Sequence, residues 1–316
     1  MSTPSRVALL GIPRSGTSWM ANLIAAHPSV ALVSEPDNRE LDLLGWLGTG
    51  RLGVVPALAP GERASDYRSM WRVAFAGGWP DDGILGTGGG ALRRTAASSR
   101  VPQPMRAFAL RTAARMAARR APAAPVVLVK SVRAMFTAAW ISAEFDPNLL
   151  IVWRHPLNVV SSWLDKGWHT RAYNELTPVR HRFAHTPLWP IPDDALGWAA
   201  WTACAHTTVL LESVAARESA LVLNHERSTE DPHATAARVL EWLGLGWDDS
   251  VARFIAENDR SGEGFTLQRR TSDEPSVWRG RLDAQEARVV HSWVERFQNE
   301  IPAAAARWPT SPAVAS

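Results

Sequence analysis

Residues 7–26, VALLGIPRSGTSWMANLIAA, run an apolar stretch into a glycine-bounded loop and then into a helical pattern. A buried strand that turns through such a loop into a helix leaves backbone N–H groups of the first helical turn unpaired and aims the positive end of the helix dipole at the loop. That arrangement binds oxyanions, and it places the chain among α/β sheets whose ligands gather at the carboxyl ends of strands. Gly11 and Gly16 have the spacing of a nucleotide-binding phosphate loop, yet Thr17 stands where such a loop carries its lysine. Positive charge comes instead from Arg14, with Ser15, Thr17 and Ser18 as hydroxyl donors. A plain strand-to-helix turn could also use glycine and serine, so the loop alone does not decide.

Other apolar runs fix the fold class. PVVLVK (125–130), NLLIVW (148–153) and ALVLN (220–224) read as buried parallel strands, and VALVS (30–34) as a weaker fifth. The expected fold is α/β, a single domain over residues 1–302 with a central parallel sheet flanked by helices, laid out like the P-loop NTPases. Helical and irregular insertions over about 36–125 and 165–194 are expected to form a lid and acceptor pocket, with ordinary surface elaboration as the alternative. Residues 303–316 read as a disordered tail.

Composition then excludes several chemistries. A single cysteine, Cys204, leaves no intrachain disulfide and no zinc site built on several thiolates. The first strand begins almost at Met1, leaving no room for a signal peptide, and no apolar stretch approaches the roughly 20 residues that span a bilayer. The expectation is a soluble, cytoplasmic protein without membrane insertion or nucleic-acid partner, for which a homodimer is allowed. Net charge is only +3, but residues 83–143 hold ten Lys and Arg and no Asp or Glu. That window fits an anionic ligand or a solvated basic face. Sixteen tryptophans fit either core packing or flat acceptor surfaces.

A metal-dependent NTPase also needs a magnesium-holding Asp at a neighbouring strand end, but NLLIVW ends in Arg154 and His155. Arg154 and Ser162, two helical turns onward, would make a fork for a second phosphate, the alternative being a surface arginine before a proline turn. Binding by cationic side chains without metal is what remains.

GIPRSGTSW followed by RHPLNVVSS resembles the paired signature of sulfotransferases that use 3′-phosphoadenosine 5′-phosphosulfate (PAPS), P-[KR]-S-G-[TS]-[TS]-[WF] and R-x-P-x-x-V-x-x-S. HPSVALVSEP is similar to the segment after the first helix in the carbohydrate and tyrosylprotein branches, and VLVKSVR to their K-x-x-R strand end. LNHERSTEDPHATAARVLEWLGLGWD resembles the Y-E-D-L-x-x-D-P stretch, and SVWRGRL the W-R-x-x-L segment.

The resemblance implies that Arg14, Ser15, Gly16, Thr17 and Ser18 hold the 5′-phosphosulfate, that Trp19 lies beside the adenine, and that Arg154 and Ser162 hold the 3′-phosphate. Lys130 matches a lysine that reaches the reacting centre, and Arg133 the arginine of K-x-x-R. The phenol and steroid branch has a histidine base two residues after that lysine, where this chain has Val132. The glutamate base of the other branches matches Glu35. A capping or salt-bridging carboxylate is the alternative for Glu35, with His169, His181 and His185 as reserve bases. Departures are His225 for the Tyr and Arg227 for the Asp of Y-E-D, and QRRTSDEPSVWRG in place of a glycine-rich 3′-phosphate loop, where Arg269 or Arg270 would assist. The implied activity is sulfuryl transfer from PAPS, without metal, to a hydroxyl of a small-molecule, glycan or glycoconjugate acceptor in secondary metabolism, with Glu35, Arg14 and Lys130 as catalytic groups. A degenerate P-loop kinase or phosphotransferase and a catalytically silent nucleotide-binding protein are the competing readings.

Overall fold

A computed structural model describes residues 5–39, 43–50, 52–78, 124–168, 179, 182–260, 267–268 and 270–301. His169, His181, Arg269, the 303–316 tail and the 83–123 part of the basic window lie outside the described residues.

Strand β1 (Ser5–Leu10) is the centre of a five-stranded parallel sheet. It pairs with β3 (Val126–Ser131) on one side and β4 (Asn148–Trp153) on the other; β2 (Val30–Ser34) adds outside β3, and β5 (Leu221–Asn224) outside β4. These are the five expected strands, with ends shifted by at most two residues at β1. They are apolar on both faces because both faces are covered. In β1, Ala8 and Leu10 pack into one core with Val127, Val129 and Ile151, while Val7 and Leu9 pack into the other with Leu128, Leu150 and Leu223.

Helix α1 (Thr17–Ala25) joins β1 to β2. Between β2 and β3 lie α2 (Leu43–Thr49) and α3 (Ser65–Ala74), and between β3 and β4 lies α4 (Ala138–Phe145). Helices α5 (Pro156–Asp165) and α6 (Ala195–Ser213) precede β5, which is followed by α7 (His225–Glu230), α8 (Pro232–Trp242), α9 (Asp249–Asn258), a 3-10 helix over Thr271–Gly280, and α10 (Ala284–Glu300). One sheet face is covered by α1, α8 and α9, the other by α3 to α6 and α10. Trp71, Trp140, Trp163, Trp198 and Trp201 are fully buried on this second face, so these five answer to core packing; Trp247 is exposed.

No regular helical period follows ALVLN in the sequence, yet α7 begins at the very next residue. The Asn224 side chain accepts the Arg227 N–H at 3.0 Å, and this cap starts a helix too short to show a periodic pattern. The order of strand addition reverses at β1, since β2 and β3 lie to one side and β4 and β5 to the other. Loop 11–16 therefore opens at the switch point, with two strand exits on each flank.

Candidate active site

The loop after β1 is held in an uncommon backbone shape. Arg14 has φ 70° and Gly16 φ 90°, and a Cβ at Gly16 would run into the His225 ring, so glycine is required there. The Trp163 indole N–H donates to Pro13 O at 3.0 Å and fixes the loop against α5. Helix α1, like α3 and α4, has no side-chain cap, whereas α5 to α10 each carry one. Ser15 Oγ is buried and has no hydrogen-bond partner among the described residues. Arg14 Nε donates to Ser162 Oγ at 2.8 Å, which brings the two sequence motifs into direct contact. Ser18 is exposed, and Thr17 and Trp19 are buried. Trp19 packs into the core beneath α1 and lies edge-on to His225, ring centroids 5.9 Å apart.

On one flank, the exits of β2 and β3 bring Glu35 and Lys130 together. Ser34 is in register with Lys130, and Glu35 N donates to Lys130 O at 2.7 Å. Lys130 Nζ donates to Glu35 Oε1, forming an ion pair that is almost entirely buried. A salt-bridging role for this carboxylate is thus observed, but it uses one oxygen. Oε2 is buried and has no hydrogen-bond partner among the described residues. Glu35 adopts φ 54°, a left-handed conformation that costs about 1–3 kcal/mol for a non-glycine residue and persists where its surroundings enforce it. Behind it sits Asp37, fully buried, with Ser131 Oγ 2.8 Å from both carboxyl oxygens. Burial, aided by the charge of Glu35, pushes the Asp37 carboxyl up to about 7 against the opposing Ser131 hydrogen bond and Arg133 charge. Arg133 reaches Val54 O at 3.4 Å, away from the loop.

On the other flank, Arg154 follows β4 and is buried rather than displayed. Its Nη2 pairs with Glu274 Oε2 at 2.7 Å, its Nε lies 3.9 Å from Glu226 Oε1, and its Nη1 makes a long contact to Arg14 O at 3.4 Å. His225 Nε2 lies 3.2 Å from the same Glu274 oxygen. Glu226 accepts from His155 N at 2.9 Å and from the Asn158 amide at 2.8 Å. Burial works against the charged form of Glu226, but Arg154, His225 and Asn158 outweigh it and hold the carboxyl below its ordinary value. Sequence reading named neither Asp37 nor Glu274. The acid two residues after Glu35 in SEPDN was the only available signal for Asp37, and nothing local marked Glu274. His185 is exposed.

A doubly wound parallel sheet with a glycine-bounded loop at its switch point, flanked by a carboxylate–lysine pair and a buried arginine, is the layout of a P-loop-like α/β protein. The chain belongs to the sulfotransferase family, whose family model matches residues 5–249. No curated protein matches it. Among solved structures it is similar to the sulfotransferase domain of the Synechococcus PCC 7002 olefin synthase, at 14% identity over 93% of this chain and 96% of that one, TM-score 0.46. Sulfotransferase STF9 from Mycobacterium avium matches at 14% identity over 98% and 78%, TM-score 0.47. Mouse sulfotransferase SULT7A1, solved with PAP, matches at 11% over 96% and 88%, TM-score 0.46. Similarity at this level carries no residue's role from those proteins to this one.

Proposed function

We propose that this chain moves a sulfuryl group from PAPS to a hydroxyl of a small-molecule, glycan or glycoconjugate acceptor and releases adenosine 3′,5′-bisphosphate. The observation that carries the reading is the half-used Glu35 carboxylate. One oxygen is fixed by Lys130 and the other is buried with no hydrogen-bond partner among the described residues; Lys130 leaves the strand next to β1, and Glu35 the strand beyond it.

In this reading Glu35 Oε2 takes the proton of the attacking hydroxyl as the new oxygen–sulfur bond forms, which is the carbohydrate- and tyrosylprotein-type use of a glutamate. The sulfur–oxygen bond to the phosphate breaks, and negative charge gathers on the oxygen that leaves with the nucleotide. Arg14, Lys130 and the N–H groups after Gly16 are the donors for that charge. Loss of one such preorganised donor costs on the order of 10²- to 10³-fold in rate. Ser15, Thr17 and Ser18 would hold the phosphosulfate, with Trp19 beside the adenine. Arg154 and Ser162 would take the 3′-phosphate, for which Glu274 must yield its place on the guanidinium. The scheme routes no step through a metal.

The test is incubation of the protein with labelled PAPS and extract of its host, followed by mass spectrometry for a product that gains one SO₃. Transfer that requires magnesium and ATP in place of PAPS would instead favour a phosphotransferase. Binding of adenosine 3′,5′-bisphosphate without any transfer would mark a silent nucleotide-binding protein.

A further inference from the structure

We propose that Asp37 is a positioning residue for the reacting edge: its carboxyl clamps the turn bearing Glu35 to the turn after Lys130, and its ionisation governs how strongly Glu35 draws the acceptor proton. The inference rests on Glu35 acting as the base.

The clamp is built from three separate pieces of chain. Ser131 Oγ donates to the Asp37 carboxyl, both oxygens lying at 2.8 Å, and accepts the N–H groups of Arg133 at 3.0 Å and Ala134 at 3.1 Å. Asp37 therefore organises the β3 exit through a hydroxyl that already caps its turn. From α3, the Tyr67 hydroxyl reaches Asp37 Oδ2 at 3.4 Å and lies 3.1 Å from Thr137 Oγ1, which in turn donates to Ala134 O at 3.1 Å. Glu35 is joined to β3 through its own backbone by the single N–H to Lys130 O, while its φ of 54° needs enforcement. Asp37, two residues on, supplies a second tie.

A purely structural clamp would not need a charge. Asp37 is fully buried, and the charged and titratable groups that face it are Glu35 on its own turn, Arg133 on the β3 exit and Tyr67 on α3, with Lys130 held beyond Glu35. The Tyr67 phenol is pushed well above its ordinary value, by burial first and then by Asp37, so it stays neutral. Burial and Glu35 bring the Asp37 carboxyl to about 7, so its charge changes near neutrality. Below that pH it is uncharged. Above it, a second negative charge stands behind Glu35 and favours arrival of a proton there.

Asp37→Asn keeps the shape and one acceptor while removing the charge. The assay is sulfate release from labelled PAPS with water as acceptor, between about pH 5.5 and about pH 8.5, alongside calorimetry with adenosine 3′,5′-bisphosphate. The expected result is that variant and wild type run together at the acid end, separate by about tenfold at the alkaline end, and bind the nucleotide within about twofold of each other. Asp37→Ala, which also breaks the clamp, should fall in rate at every pH and lose thermal stability. An equal loss for Asp37→Asn at every pH, an unchanged pH profile, or a parallel loss of nucleotide affinity would overturn the inference. Should Glu35→Gln release sulfate as fast as wild type, the reading of Glu35 as base fails. Infrared titration of the nucleotide-bound protein then decides Asp37 separately: a carboxyl band that titrates near neutrality and vanishes in Asp37→Asn supports it, and its absence overturns it.

Discussion

Two buried clusters of cations and carboxylates flank the same loop, and they are wired in opposite senses. At the β2 and β3 exits one lysine meets one oxygen of Glu35, and the other oxygen has no hydrogen-bond partner among the described residues. At the β4 and β5 exits the guanidinium of Arg154 faces two carboxylates, Glu274 at 2.7 Å and Glu226 at 3.9 Å, so acids outnumber the arginine. Burying an ion pair repays its desolvation only when geometry and hydrogen bonding are good, so neither cluster is there for stability alone. In the proposed mechanism the first supplies the proton acceptor. The second keeps a cation covered by an acid that an incoming phosphate would have to replace.

Removing a carboxylate should therefore have opposite consequences on the two flanks. Glu35→Gln preserves the shape and takes away the proposed base; transfer from PAPS should drop by about 10²- to 10⁴-fold with nucleotide affinity unchanged by calorimetry. Retained transfer would erase the distinction between the flanks. Glu274→Gln should instead strengthen binding of adenosine 3′,5′-bisphosphate, by roughly tenfold, because the phosphate no longer competes with an anion for Arg154. Adenosine 5′-monophosphate, which lacks the 3′-phosphate, is the control and should gain nothing. Equal gains for both nucleotides would show that Glu274 acts on the site at large rather than on the 3′-phosphate.

The two flanks also differ in how much of them could be read from sequence. Strands of continuous Val, Leu and Ile, and a glycine-bounded loop between strand and helix, are local signals, and every strand was legible. Glu35, Lys130, Arg14 and Ser162 were named because short motifs carry them, and the structure brings them together in two contacts. The partners that set their behaviour are long-range. Ser131 meets Asp37 across 94 residues, and Glu274 meets Arg154 across 120. No periodicity or spacing encodes such pairs, because folding alone decides which buried charge faces which. His225 was visible as a departure from Tyr, but its packing against Gly16 appears only when the β5 exit folds beside the loop. Trp19 reads as a ligand neighbour in its motif and is buried in the core, since one face of α1 must serve both ends.

A third buried polar group belongs to neither flank and sharpens the contrast between them. His206 lies on α6, fully buried, edge-on to Phe136 at 5.0 Å, with neither ring nitrogen hydrogen-bonded among the described residues. Burial lowers its proton affinity to a pKa of about 3 from an ordinary 6.5. Below 6.5 the unfolded chain takes up a proton that the folded chain refuses, so stability is lost as pH falls from about 6.5 toward 3. At 1.36 kcal/mol per unit the loss reaches roughly 2–3 kcal/mol two units below the unfolded value. Asp37 has the opposite sign: its raised native value makes stability fall as pH rises from about 4 to about 7. In His206→Leu the acid-side decline of Tm between about pH 6.5 and about pH 4.5 should flatten, and transfer at neutral pH should change little. Here a polar side chain is buried with no hydrogen-bond partner among the described residues, and its expected cost falls on stability. A His206→Leu protein that keeps its acid-side decline but loses transfer would place α6 in the reacting centre, and the buried Thr202 one turn before it would be the next residue to replace.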